Sequence, residues 1–305
     1  MKSDKRTIFL WCIIFILAML YGASFLGGKK NHRTLLKTAY VNAKNEDKIN
    51  QIWITKNEST LILQKQAGIW YVVEEKSSNF IPADSKKVQN FINELIKVRN
   101  LYKISDRIKA GNAFGFDSPD GVTVKYQTEA AVYPRLYFGS LDFAQISRYF
   151  MTEKNTAVYQ SDTNLDVYLS SSVQMWSEPF IFSQNLSSIQ DARSVQTIKI
   201  EAEEKKSILD SSSPDFYDVC SRFMEFRHGG PFSAEKSTEN SDEKSDLKLT
   251  FSLGNKAQAE FSFYQLEEGL VKVFCKYNFE RSASSVSYDL KISSWTYNKI
   301  KEIML

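Results

Sequence analysis

The chain has 305 residues, with 39 Lys or Arg, 36 Asp or Glu, two His and three Cys. Seven of the basic residues and one Asp fall within residues 1–37, which leaves 32 basic and 35 acidic residues in 38–305. A near-neutral body lacks the concentrated basic face of a nucleic-acid binder, three cysteines make no disulfide framework, and two histidines argue against a zinc site of the usual ligand set.

Thr7 to Gly28 carries no charge. As a helix it would span roughly 33 Å, enough for the ~30 Å hydrocarbon layer of a bilayer. A buried core helix would need polar positions on one face, and there are none. A cleaved signal peptide has a shorter apolar core as a rule; here the run passes Ala18 to Ser24 and continues through Phe25 and Leu26. The reading is an uncleaved transmembrane helix, with a cleaved signal as the alternative. Trp11 and Tyr21 lie near its two ends. Lys2, Lys5 and Arg6 precede it and Lys29, Lys30, Arg33 and Lys37 follow, so charge does not set the orientation. The short charged tail places the N-terminus inside and the large domain outside. The flanking cations suit anionic headgroups. Residues 1–6 are then a cytoplasmic tail, 7–28 the span, and 29–48 a polar connector containing Leu35, Leu36 and Tyr40.

Period-two text follows. Ile49-x-x-Ile52-x-Ile54, Leu61-x-Leu63 and Ile69 to Val73 predict three strands, turned at Lys56 to Ser59 and at Gln66 to Gly68. Pro82 and Asp84 announce a helix, with Asp84 or Ser85 as N-cap and Val88, Phe91, Ile92, Leu95 and Ile96 as its apolar stripe. After a loop at 111–121 come strands at Val122 to Tyr126, Arg135 to Gly139, Arg148 to Met151 and Ala157 to Tyr159. Leu165 to Leu169 reads as a short helix, and Trp176 to Phe180 ends this half.

The pattern then restarts. Val195-x-x-Ile198-x-Ile200 matches the opening strand. Ser213-Pro214 is an N-cap with a first-turn proline before the stripe Phe216, Val219, Cys220, Phe223 and Met224. Strands follow at Leu247 to Phe251, Ala259 to Phe263, Leu270 to Phe274 and Val286 to Leu290, and a helix at Ser294 to Ile303 closes the chain. Helix starts at Asp84 and Ser213, and strand starts at Val122 and Leu247 or Arg135 and Ala259, keep a near-constant spacing. That spacing predicts an internal repeat. The expected fold class is α+β: an N-terminal transmembrane helix, then two related units of antiparallel sheet with packed helices, at 49–189 and 190–305.

The chemistry is sparse. His32 lies in a basic flank. His228, in Arg227-His228-Gly229-Gly230, reads as a cation closing a helix, with a functional loop as the alternative. Cys12 lies in the apolar run; Cys220 and Cys275 read as buried apolar residues or as a pair. Asp117, Asp120, Glu201, Glu203 and Glu204 show no calcium-loop spacing. Gly111-Asn112-Ala113-Phe114-Gly115 lacks the remaining residues of a phosphate loop. Ser211 to Ser213 reads as loop and cap. Asn57-Glu58-Ser59 and Asn185-Leu186-Ser187 match the glycosylation acceptor pattern. Trp53, Trp70, Trp176 and Trp295 are core or sheet-face residues, or else part of a groove for a peptide or glycan. No catalytic, cofactor-binding or metal residue is assigned, and no cofactor is expected.

Several features occur in a specific order: Ile52-x-Ile54, Leu61-x-Leu63-x-Lys65, Gly68-x-Trp70, Pro82-x-Asp84, Phe114-Gly115-Phe116-x-x-Pro119, Tyr137-Phe138-Gly139 and Ala157-Val158-Tyr159. In this order residues 49–182 resemble the bacterial DUF4340 family, and 190–305 resemble it less, as a diverged second copy. The resemblance implies a single-span envelope protein, often encoded beside ABC-type exporter or gliding-associated transport components, and it carries no catalytic residues. The expected function is therefore non-enzymatic. It is that of a membrane-anchored, extracytoplasmic (periplasmic) binding or scaffold protein, held at the bacterial inner membrane. Its expected partners are the permease and ATPase subunits of an ABC-type transport complex, not nucleic acid. The alternative is an envelope enzyme or a glycan- or peptidoglycan-binding module.

Overall fold

The computed structural model describes residues 13–19, 35–41, 48–106, 113–189, 191–202, 205–232, 244–254, 256–266, 269–279 and 284–305. Ten strands form the larger sheet: β1 (Leu35–Thr38), β2 (Ile49–Lys56), β3 (Ser59–Gln66), β4 (Ile69–Glu74), β5 (Ile81–Pro82), β6 (Arg99–Ser105), β7 (Val122–Thr128), β8 (Leu136–Leu141), β9 (Arg148–Thr152) and β10 (Asn155–Ser161). Their order is β1-β6-β10-β9-β8-β7-β2-β3-β4-β5. Six strands form the smaller one: β11 (Val195–Ala202), β12 (Lys205–Asp210), β13 (Leu247–Leu253), β14 (Gln258–Gln265), β15 (Leu270–Phe279) and β16 (Ser284–Ser293), in the order β12-β11-β13-β14-β15-β16. The helices are α1 (residues 13–19), α2 (Ser85–Ile96), α3 (Val173–Trp176), α4 (Gln184–Ser187), α5 (Phe216–Glu225) and α6 (Ser294–Met304).

Alternation sets the faces. In β13 every second residue, Leu247, Leu249, Phe251 and Leu253, is fully buried, while those between are half-exposed. Two tight hairpins open the larger sheet. Asn57 and Glu58, then Ala67 and Gly68, each place two successive residues at positive φ, as a type I′ turn requires. In α2 the Asp84 carboxylate accepts the Lys87 N–H at 3.0 Å, and the stripe Val88, Phe91, Ile92 and Leu95 is buried.

The two sheets share a path. In each, an opening hairpin (β2–β3 or β11–β12) precedes a helix (α2 or α5), and a four-strand meander (β7 to β10 or β13 to β16) joins the sheet beside the hairpin's first strand. The larger sheet adds β4 and β5 beyond its hairpin and β6 and β1 beyond its meander.

Several sequence expectations are corrected. The fold is mostly antiparallel sheet, not an α+β body carried on a membrane helix. Among the described residues no helix is long and apolar enough to cross a membrane. Of 7–28, only residues 13–19 are described, as helix α1; 7–12 and 20–28 lie outside the described residues. Extra strand explains the rest of the correction. Leu35–Thr38, read as connector, pairs with β6, and neither β6 nor β12 was expected. α5 begins after Asp215 rather than Ser213, whose carbonyl instead accepts the Phe216 N–H in a preceding turn.

One core runs through both sheets. The segment from 165 to 189 feeds both sides of it. Trp176 lies 5.5 Å from Phe91 of α2, while Phe182 packs 5.7 Å from Phe251 and 6.4 Å from Tyr277 in the smaller sheet. Phe223 of α5 stacks on Phe251 at 4.8 Å. Removing one such ring costs about 3–5 kcal/mol.

Candidate functional site

The backbone between the sheets is a ladder of short pairings. Ala83 bridges Ser177, Phe180 bridges Arg227, and Pro231 bridges Leu290 of β16. The Asn79 side chain extends it by imitating a peptide group. Its amide donates to the Asp289 carbonyl at 2.8 Å and accepts the Asp289 N–H at 3.1 Å. The β5 edge of one sheet is thereby sewn to the β16 edge of the other.

A buried polar knot lies in this joint. The Glu178 carboxylate accepts from Ser183 Oγ (2.6 Å), the Gln184 N–H (2.7 Å) and Asn185 Nδ2 (3.1 Å). Burial pushes its pKa up, and these donors pull it back. Ser183 also donates its N–H to the Tyr277 hydroxyl at 2.7 Å. His228 completes the knot. Its Nδ1 accepts the Gly230 N–H at 2.9 Å, so the proton is on Nε2, which donates to the Glu178 carbonyl at 2.6 Å. Burial holds the imidazole pKa below its usual value. The expectation of a helix-closing cation is therefore corrected. α5 ends at Glu225, and His228 is a neutral ring whose two nitrogens are both spent on main chain.

A cleft of about 630 Å³ opens beside the knot. Lys56, Ser59, Glu74 and Arg148 wall it from the larger sheet, Asp166 and Ser170 to Ser172 from the segment between the sheets, and Lys291 of β16 with the loop residues Gly229 and Pro231 from the other side. Arg148 is fixed: it contacts Asp166 Oδ1 at 2.5 Å and donates to the carbonyls of Asp120 (2.8 Å) and Gly139 (2.7 Å). The wall is lined mainly by polar and charged side chains, and its arginine is held in place by these contacts.

The ordered features of the first half map onto main-chain crossings. The turn at Phe114 to Pro119 lies across β8. The Ser140 N–H donates to the Phe114 carbonyl at 2.8 Å, and a Cβ on Gly139 would stand 2.0 Å from that oxygen. Gly115 has φ +70°, and a Cβ there would meet Ser140 at 2.7 Å. Gly68 completes a type I′ turn, and Trp70 is buried with its carbonyl accepting the Ala83 N–H. These residues hold backbone against backbone.

The sequence candidates scatter. Cys220 and Cys275 are buried free thiols, Cys220 with its pKa pushed to about 12 by burial. Asp117 and Asp120 sit in the turn over β8, while Glu201 pairs with Lys199 at 2.5 Å on the other sheet; among the described residues no group of three or more His, Cys, Asp or Glu could hold a metal. Glu203, Glu204, His32, Cys12 and 111–112 lie outside the described residues. Asn57 is exposed on its turn, whereas Asn185 is tied to Ala83 and Glu178 and Ser187 is fully buried. Trp70 and Trp176 are buried, Trp53 lies half-exposed under Lys125 at 4.5 Å, and Trp295 is 69% exposed. The sequence carries no signal for the cleft, and for Glu178 only a local one, the Trp176-Ser-Glu-Pro-Phe180 segment that closes the first half of the chain.

A family model described as a domain of unknown function, DUF4340, matches residues 70–244. No match was found among curated proteins or among solved structures.

Proposed function

Because this chain belongs to the DUF4340 family, a family of unknown function, we propose from its geometry that it is a non-catalytic binding and scaffold protein. Its place is as an extracytoplasmic accessory component of an ABC-type transport complex. The observation that carries this reading is the polar cleft between the sheets, walled by Lys56, Glu74, Arg148 and Lys291. Its arginine is engaged with carbonyls and a carboxylate, which makes it a fixed support and not a mobile acid. The neighbouring histidine has no nitrogen left for proton transfer. A cleft of this kind suits a polar segment of a partner subunit.

The test is affinity purification of the tagged full chain from detergent-solubilised envelopes of its native host, with partners identified by mass spectrometry. ABC-type permease or ATPase subunits should be recovered with the wild type and depleted with Lys291→Glu. Recovery of neither subunit with the wild type would refute the transport assignment, and undiminished recovery with Lys291→Glu would remove the cleft as the contact.

A further inference from the structure

We propose that the groove between α5 and α6 is a binding site for neutral oligosaccharide, with Trp295 as its stacking platform. The groove holds about 530 Å³. Trp295 lines it from the first turn of α6, a turn capped by Ser293, whose hydroxyl accepts the Thr296 N–H at 3.2 Å. The indole is 69% exposed, whereas Trp70 and Trp176 are buried at 4% and 0%. Leaving so large an aromatic surface in water forgoes burial worth several times that of a methyl group, and nothing among the described residues covers it.

The surroundings select the ligand. Arg222, Arg227 and Lys299 line the groove with Glu225 and Glu302. Most are held in place: Arg222 pairs with Asp218 at 2.8 Å, Lys299 with Glu302 at 2.6 Å, and Arg227 lies over Phe180 at 5.4 Å. The three cations face the two carboxylates of the groove and Asp218, the partner of Arg222 outside it, which leaves little net field to draw a polyanion and disfavours nucleic acid or a phosphate-rich ligand. What fits is a molecule with a flat C–H face for the indole and uncharged groups that both donate and accept hydrogen bonds for the carboxylates and guanidinium forks. A pyranose ring has both, and a groove of about 530 Å³ has room for more than one. This site is separate from the cleft and does not depend on the transport reading.

The test is NMR titration of the full chain, following the indole N–H signals, with soluble tetramers of β-1,4-linked N-acetylglucosamine and of glucose as probes and a heparin oligosaccharide as the polyanionic control. At least one neutral tetramer should shift the Trp295 indole signal, identified by its loss in Trp295→Phe. Trp295→Ala should weaken binding at least about tenfold with an unchanged melting temperature, since the side chain is exposed. Trp295→Phe should retain part of the affinity. The proposal is overturned if neither neutral tetramer shifts the signal at about 10 mM, where even a roughly millimolar Kd would register. It is equally overturned if heparin alone binds, or if Trp295→Ala binds as the wild type does. Loss of transport subunits in Trp295→Ala without any glycan binding would make the groove a protein interface and overturn it too.

Discussion

Glu178 offers the sharpest test of how the two sheets are held. Truncation to Ala removes the acceptor of the buried Ser183 Oγ and of two half-buried donors, the Gln184 N–H and Asn185 Nδ2, whose present distances to the carboxylate are 2.6, 2.7 and 3.1 Å; Asn185 keeps its bond to the Ala83 carbonyl. Each buried donor left without an acceptor costs about 1–3 kcal/mol, and relief of the carboxylate's own desolvation offsets part of the sum. The expected loss is about 3–5 kcal/mol. For a chain this long that corresponds to roughly 6–20 °C in melting temperature, read by calorimetry. Glu178→Gln separates charge from shape. Burial raises the folded-state pKa of Glu178 above its ordinary 4.5. Its stabilising contribution is therefore full below pH 4.5 and is lost as pH rises through the folded value. Glutamine does not titrate, so the stability gap between wild type and Glu178→Gln should be wider at pH 4 than at pH 7. A loss under about 0.5 kcal/mol for Glu178→Ala would refute the view that this buried carboxylate organises the joint, and a gap that widens with pH would refute the raised folded-state pKa.

Three further outcomes are expected. Gly139→Ala drives a methyl group to within 2.0 Å of the Phe114 carbonyl and should cost about 3 kcal/mol or more in urea unfolding, with the m-value unchanged. His228 has a folded pKa below its ordinary 6.5, so its contribution is present above pH 6.5 and lost as pH falls beneath it. Wild-type stability should drop there by up to about 1.4 kcal/mol per pH unit, a slope that His228→Asn reduces in paired melts. Cys220 and Cys275 should be unreactive towards a maleimide at pH 7 in the native state and react on unfolding, as mass spectrometry would record; fast native labelling would contradict their burial.

Residues with one buried face were legible in the sequence. The spacing of Leu247, Leu249 and Phe251 gave the strand, and Asp84 gave the start of α2, because in both places local chemistry and tertiary burial agree. β6 was hidden for the opposite reason. Its first inward position is an arginine: Arg99 is 4% exposed, donates to the Glu94 carbonyl and lies 4.4 Å from the Tyr40 ring, so a charge stands where the pattern needs an apolar residue. β12 was hidden because it is an edge with no buried residue. The cleft was illegible because its walls come from residues as far apart as Lys56 and Lys291, a proximity that only the joint between the sheets creates.

That joint also decides where this protein can be extended sideways. An open sheet offers an unpaired row of amides and carbonyls at each border, and a passing strand can add there. Here the β5 and β16 borders are partly consumed by pairing through Ala83, Ser177, Pro231 and Leu290. Among the described residues this leaves β1, of four residues, and β12, which begins with Lys205 and Lys206, as the outer borders. The paired lysines at the start of β12 put charge on that border, the kind of feature that opposes the addition of a further strand, while the other sheet's inner border is closed by the joint itself.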